Sequence, residues 1–350
     1  MGRRKPDLGE FHDLTEAEDL REQLSRLHVQ LRKAKNRNEA LVEATLQGSR
    51  DALVALGPIP PVPAPKKDRR KAKPEVALWH LTDFQGSKVT VSYNSEVMRE
   101  RILRFCEKVV RLTEIQRADH PVDECVILFG GDIIEGLFNY ASQPFEIDAS
   151  LFDQFAKAAR LLAEVVRRAL ASYQSVRVIG EWGNHGRVGD KRAAVPRSDN
   201  FDRMIYELAR AILSDPETEE LHPRLTWEDS EEDIHWFAIG NYQALLIHGD
   251  EIGRNGAASI NTLVKYVTQL KAGAFDRPFV DVYAGHLHSH RDIELPDGGS
   301  YFQTGSPESD NRYARDSMAS TSRPTQRLHF IDPDRGRVTA QYKVELSDGD

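Results

Sequence analysis

Five apolar runs in this 350-residue chain are followed closely by side chains able to hold a metal ion. Val76–Leu81 leads into Thr82-Asp83-Phe84-Gln85, and Cys125–Phe129 into Gly130-Gly131-Asp132-Ile133-Ile134-Glu135-Gly136. Val176–Ile179 is followed by Gly183-Asn184-His185-Gly186, Tyr242–Ile247 by His248-Gly249-Asp250, and Phe279–Ala284 by Gly285-His286-Leu287-His288. Every one of these donors is an oxygen or an imidazole. Such a set suits two hard-to-borderline divalent ions, Mn first and Fe, Zn or Mg as alternatives, and lacks the thiolates of a structural zinc site. A carboxylate can bridge two such ions about 3.5–4 Å apart, and a pair of this kind activates water for in-line attack at phosphorus.

Scattered donors can converge only if the elements before them are aligned. Val76–Leu81, Cys125–Phe129 and Val176–Ile179 read as buried strands. Between them lie a helix with apolar positions Val97, Ile102, Leu103, Val109 and Leu112 and a second helix from Phe152 to Leu170. Strand–helix alternation predicts an α/β body with parallel strands at its centre. Open sheets of that kind gather functional groups beyond their strand C-termini, which is where these donors fall. Farther on, Ile234–Ile239, Tyr242–Ile247, Phe279–Ala284, Tyr301–Thr304, Gln326–Ile331 and Val338–Val344 read as strands, several of them antiparallel, and the helices thin out.

Taken in order, these blocks resemble those of the calcineurin-like metallophosphoesterases, over about residues 76–306, ending at Gly305-Ser306. Five blocks in sequence, each at a strand end, are far more specific than any one alone. The resemblance implies a four-layer α/β sandwich of two mixed sheets flanked by helices. By position it assigns Asp83, Gln85, Asp132 and His288 to one metal, and Asp132, Asn184, His248 and His286 to the other, with Asp132 as the bridge. It makes His185 the catalytic histidine beside the metals and Glu135 the acid that orients it. Gln85 stands where the family normally has His, a neutral oxygen in place of an imidazole, so the first site is expected to be weaker or to prefer Mn or Mg. Gly186 and Arg187, with Ser198-Asp199-Asn200-Phe201-Asp202, resemble bacteriophage-encoded members.

Residues 1–74 hold 16 Lys/Arg against 11 Asp/Glu, and the remaining residues hold 31 against 44. A basic arm therefore precedes an acidic body. Within residues 14–56, Thr15 and Glu18 form a capping-box signature. Leu20, Leu24, Leu27, Leu31, Ala34, Asn38 and Leu41 then repeat as a coiled-coil-like stripe that either pairs two copies through residues 14–45 or packs on its own body. Pro-rich and basic residues 57–74 read as an extended linker whose cations either meet nucleic acid or solvate a tether. The expected division is 1–56 arm, 57–74 linker and 75–350 catalytic domain. Neither a ~20-residue apolar span nor a signal-peptide core is expected, and Cys106 and Cys125 cannot build a disulfide framework. A reduced, cytoplasmic protein follows, or one in the host cytoplasm if phage-encoded.

Arg187, Lys191, Arg192 and Arg197 either grip substrate phosphates or solubilise a loop, and Phe138-Asn139-Tyr140 either stacks a base or packs a lid. Three functions remain open. One is a DNA nuclease, with exonuclease action favoured. The next is a phosphodiesterase or phosphatase for nucleotides or other small phosphoesters, which the acidic body suits better. The third is an inactive scaffold recruiting a partner through its N-terminal helix. A protein Ser/Thr phosphatase fits less well, because Glu135-Gly136 stands where an Asp-Arg-Gly continuation would place a phosphate-binding arginine.

Overall fold

In the computed structural model, the described residues are 44, 47 and 62–347, without 138, 140–142, 189–198, 216–217, 219, 253–258 and 310–322. The heptad stripe, Lys191, Arg192 and Arg197, and Phe138 and Tyr140 lie outside them.

Three of the anticipated strands, β1 (Val76–Leu81), β2 (Glu124–Phe129) and β3 (Ser175–Gly180), run parallel and continue into β4 (Leu225–Asp229). β10 (Thr325–Asp332) and β11 (Arg337–Glu345) extend this sheet antiparallel on the β1 side, giving the order β11-β10-β1-β2-β3-β4. The second sheet has the order β5-β6-β7-β9-β8, from β5 (Ile234–Ile239), β6 (Tyr242–Ile247), β7 (Asp281–Ala284), β8 (Arg291–Glu294) and β9 (Ser300–Gln303). β6, β7 and β9 are parallel, and β5 and β8 are antiparallel edges.

Alternation along the strands sorts the side chains into layers. Val76, Leu78, Val126, Leu128 and Ile179 of the first sheet pack against Phe237, Tyr242, Ala244, Leu246, Tyr283 and Phe302 of the second. On the outer face of the first sheet, Trp79 meets Phe105 of α1 (Ser95–Gln116) and Tyr173 at the end of α2 (Leu151–Ser172), and Phe129 stacks on Tyr206 of α3 (Phe201–Leu213). On the outer face of the second sheet, Leu245, Ile247, Val282 and Ala284 cover Leu263 and Val267 of α4 (Ile260–Gln269). Helix, sheet, sheet and helix make the four-layer sandwich expected from the resemblance.

Helices thin out as expected, yet two that the sequence reading did not place stand in the strand-rich half. α3 and α4 both form, started by Asn200 and Ser259, whose side chains accept from Asp202 N–H and Thr262 N–H. Cys106 and Cys125 are buried free thiols, and burial pushes Cys106 up to about 12. Among the described residues no helix is long and apolar enough to cross a membrane.

Candidate metal centre

β1, β2, β3, β6 and β7 all end at one edge of the sandwich, where the loops beyond them stay bonded to each other. Asp83 N–H donates to Gly131 O at 3.0 Å, Gln85 N–H to Asp132 O at 3.0 Å, and Gly285 N–H to His248 O at 2.9 Å. Between the sheets, His286 N–H donates to both Asp83 carboxylate oxygens, at 3.0 and 2.9 Å.

The backbone at these positions is unusual. Among the described non-glycine residues, positive φ occurs at Asp83 (55°), Gln85 (47°), Ser87 (78°), Asp132 (53°), His286 (67°) and His288 (50°). Five of the six are residues that the sequence marks as metal ligands. Left-handed backbone costs an L-residue about 1–2 kcal/mol, and such outliers gather where function over-determines geometry. At Asp83, Asp132 and His286 this backbone falls two or three residues past the ends of β1, β2 and β7.

Asp132 lies at the centre. His248 Nε2 is 3.1 Å from Asp132 Oδ2, and Asn184 Oδ1 is 3.1 Å from the same nitrogen. Ligand atoms of Asp132, His248 and His286 lie within 4.8 Å of one another. His248 Nδ1 is 2.8 Å from Gly130 O. That carbonyl can only accept, so Nδ1 donates to it and Nε2 is the nitrogen left to face a cation. Gln85 Nε2 is 3.1 Å from Asp132 Oδ2 and 3.4 Å from His288 Nε2, which in turn lies 3.4 Å from Asp83 Oδ1. Gln85 Oε1 is buried without a hydrogen-bond partner, and the two ends of the amide exchange by a half-turn about its last bond.

Charge follows from packing. Burial alone would raise the Asp132 carboxyl, but the imidazoles of His248 and His185 hold it well below the usual range. Burial and then neighbouring His248 push His286 down to about 4. His288 goes up to about 10 because hydrogen bonding to Asp83 and Glu308 outweighs its burial. These orphaned or competing donors fit a cationic centre, with Asp83, Gln85, Asp132 and His288 able to hold one ion and Asp132, Asn184, His248 and His286 a second.

His185 sits beside this group. Its N–H donates to Asp132 Oδ1 at 2.7 Å, and its Nδ1 lies 3.2 Å from Glu135 Oε2. Arg187 is bound to Asp250, two residues after His248. His290 stands apart, beside Arg327 and Asp292, and the packed His80 bonds Thr304 through Nδ1.

Asp202 is the functional neighbour whose role the sequence did not reveal. Its Oδ2 accepts from Asp132 N–H and Gly183 N–H, each at 2.9 Å, and its Oδ1 accepts from Ile133 N–H at 3.1 Å. Asn200 Nδ2 donates to Gly183 O at 2.7 Å. The start of α3 thus clamps the second donor block to the third. Burial, then the Asp132 charge, pushes the Asp202 carboxyl up to about 7. The signal available was the Asn200-Phe201-Asp202 helix start, although the cap's second task leaves no mark in periodicity.

The sheet order and the ordered donor blocks at its edge decide the architecture. The chain has the four-layer α/β sandwich that the resemblance implies.

No protein-family model matches the chain. The SPbeta prophage-derived uncharacterized protein YonJ of Bacillus subtilis (strain 168) is 23% identical over 326 residues, covering 90% of this chain and 74% of that protein. A dimetal phosphatase from Danio rerio overlays with TM-score 0.38 at 13% identity, covering 78% of this chain and 100% of that one. Zinc-complexed Vps29 from Entamoeba histolytica gives 0.33 at 12% identity, covering 77% and 99%. A predicted phosphoesterase from Streptococcus pneumoniae gives 0.30 at 11% identity, covering 78% and 99%.

Proposed function

We propose that this metallophosphoesterase-fold chain is a dinuclear-metal phosphodiesterase that hydrolyses DNA. The observation that carries the hydrolytic reading is the convergence of Asp132 Oδ2, His248 Nε2 and Asn184 Oδ1 beside the partnerless Gln85 Oε1. Two divalent cations, Mn first, would supply Lewis acidity at a phosphoryl oxygen and an activated water.

The chain's own residues do the rest. Asp83, Gln85 and His288 would hold one ion, Asn184, His248 and His286 the other, and Asp132 would serve both. His185, held through Nδ1 by Glu135, turns its Nε2 to the phosphoryl group and donates a proton to the leaving oxygen. Burial opposes charge on His185, yet Glu135 and Asp132 raise its pKa, as a proton donor requires. Arg187 leaves Asp250 to bind a phosphate oxygen, a charge-assisted contact well suited to a guanidinium. The basic run Lys66–Lys73 favours a polymer, and a prophage-derived relative is in keeping with a phage-encoded protein acting in the host cytoplasm. The acidic balance of the remaining chain favours a second reading, a phosphodiesterase or phosphatase for nucleotides.

The test is hydrolysis of bis(p-nitrophenyl) phosphate with Mn, followed by labelled single- and double-stranded DNA. Asp132→Ala should abolish turnover. A wild-type protein inert with every divalent ion tried would refute the hydrolytic reading. Turnover of nucleotides but not of DNA would replace the substrate.

A further inference from the structure

Beside the centre lies a buried cation that the proposed mechanism leaves unused. Lys88 Nζ is 3.6 Å from Glu135 Oε2 and 3.5 Å from Glu308 Oε1. Its side chain is 12% exposed, against 3% and 1% for the two carboxylates. Each carboxylate also meets a histidine. Glu135 Oε2 is 3.2 Å from His185 Nδ1, and Glu308 Oε2 is 2.9 Å from His288 Nδ1. The order is His185, Glu135, Lys88, Glu308, His288.

We infer that Lys88 is a positioning residue that sets both histidines at once, because its ammonium fixes the places of Glu135 and Glu308. Two buried carboxylates around one point repel, and the ammonium between them offsets that repulsion and holds each within reach of its histidine. With both carboxylates held there, each histidine ring is fixed through Nδ1 and left to act through Nε2. For His288 that atom faces Asp83 and Gln85. For His185 it is the atom that the proposed chemistry protonates and uses.

The frame around Lys88 is built to hold it there. Its N–H donates to Gln85 O at 2.9 Å, and residue 88 bridges Ile147 across the loop. Glu308 N–H donates to Ser306 Oγ at 2.9 Å, and that hydroxyl donates to Asp83 O at 2.7 Å. Both carboxylates therefore sit on backbone tied to the donor blocks. The inference rests on the phosphoesterase reading only for the task given to His185.

Proton NMR of the metal-free protein and Mn titration without substrate test it, so failure of turnover and failure of the inference are read separately. Among the downfield imidazole N–H signals of wild type, one should be lost in Glu135→Gln and another in Glu308→Gln. Lys88→Met should lose both and weaken Mn binding at one of two sites about 10–100-fold, as removal of a ligand's supporting partner does. Lys88→Arg should retain both signals and bind Mn within a few-fold of wild type. Unchanged signals and Mn affinities in folded Lys88→Met would overturn the inference, as would an effect confined to KM, which would make Lys88 a substrate contact. If Lys88→Met does not fold, Glu308→Gln decides: an intact His288 signal with undiminished Mn binding overturns the inference.

Discussion

A single methyl group added at Gly183 should uncouple metal binding from folding. Built on the Gly183 backbone, a Cβ would lie 2.1 Å from Asp132 Oδ1, 2.3 Å from Asp132 N and 2.7 Å from Asp132 Cγ. Non-bonded contacts of carbon settle at about 3.5–4.0 Å, so the carboxylate must retreat by on the order of 1 Å or the two loops must part. Parting is opposed, because Asp202 Oδ2 holds the N–H groups of both Asp132 and Gly183 and Asn200 holds the Gly183 carbonyl. The clash with Asp132 N cannot be relieved by the carboxylate alone, so the clamped loops strain while the carboxylate moves, and with it the one group that faces both proposed ions.

Overpacking of this kind costs about 1–3 kcal/mol of stability. A misplacement near 1 Å costs about 100-fold in rate. We expect Gly183→Ala to fold, to melt several degrees lower, to bind Mn at least tenfold more weakly, and to lose about 100-fold in phosphodiesterase turnover. Gly298→Ala is the control: φ is +84° there and no atom lies within 4 Å of its Cβ. It carries a left-handed penalty of about 1–2 kcal/mol with no contact to the centre. Calorimetric Mn titration with thermal unfolding of both variants decides. Wild-type Mn affinity in Gly183→Ala, or an equal loss in Gly298→Ala, would refute the reasoning.

Gln85→His should tighten zinc binding about tenfold by supplying the imidazole that the resemblance lacks, at a left-handed position where His is better tolerated than most residues; an unchanged zinc titration would place Gln85 outside the first site. Asp202→Ala should leave three buried N–H groups without their acceptor and lower stability by about 2–5 kcal/mol, read by urea unfolding, because each orphaned group costs about 1–3 kcal/mol before relaxation. Asp292 pairs at 2.7 Å with fully buried Arg327. Despite its partial burial, its bonds to His290 and Arg327 hold the carboxyl down to about 2. A depressed carboxylate contributes stability above its unfolded value of about 3.9 that is lost as pH falls toward the folded value. Asp292→Asn should therefore flatten the stability profile between about pH 4 and pH 2, and an unchanged acid limb would remove Asp292 from that account.

The legible parts of this chain are those whose signals are local. Buried parallel strands read as short unbroken apolar runs, and the donor blocks sit directly after them, so β1, β2 and β3 and the order of Asp83, Asp132 and Asn184 could be found from residues alone. β4 and β8 were missed because they are edges: Leu225 is the one buried residue of the first and Ile293 of the second, too few to leave a pattern. α4 was missed for a similar reason, with only Leu263 and Val267 buried. The left-handed backbone of Asp83, Gln85, Asp132, His286 and His288 leaves no compositional trace, because none is a glycine. Neither does the pairing of Lys88 with Glu308, which are 220 positions apart and meet only after β9 has returned beside β7.

The same bonds that steady the sandwich edge aim its donors, and this explains why strain can persist there. Each left-handed residue costs about 1–2 kcal/mol, yet the backbone of Asp83, Gln85 and Asp132 is fixed by bonds to Gly131, Asp132 and Asp202 that relaxation would break. Losing one such bond in a buried setting costs at least as much as the strain it enforces. Relief of the strain is therefore unfavourable even before any cation binds, and the donors should be preorganised in the metal-free protein. Amide exchange measures this directly: the N–H groups of Asp83, Gln85, Asp132 and His286 should be protected nearly as well as those of β1 and β2 without metal. Fast exchange at these four, slowed only by Mn, would mean that the ion builds the site and that the clamp by Asp202 does not.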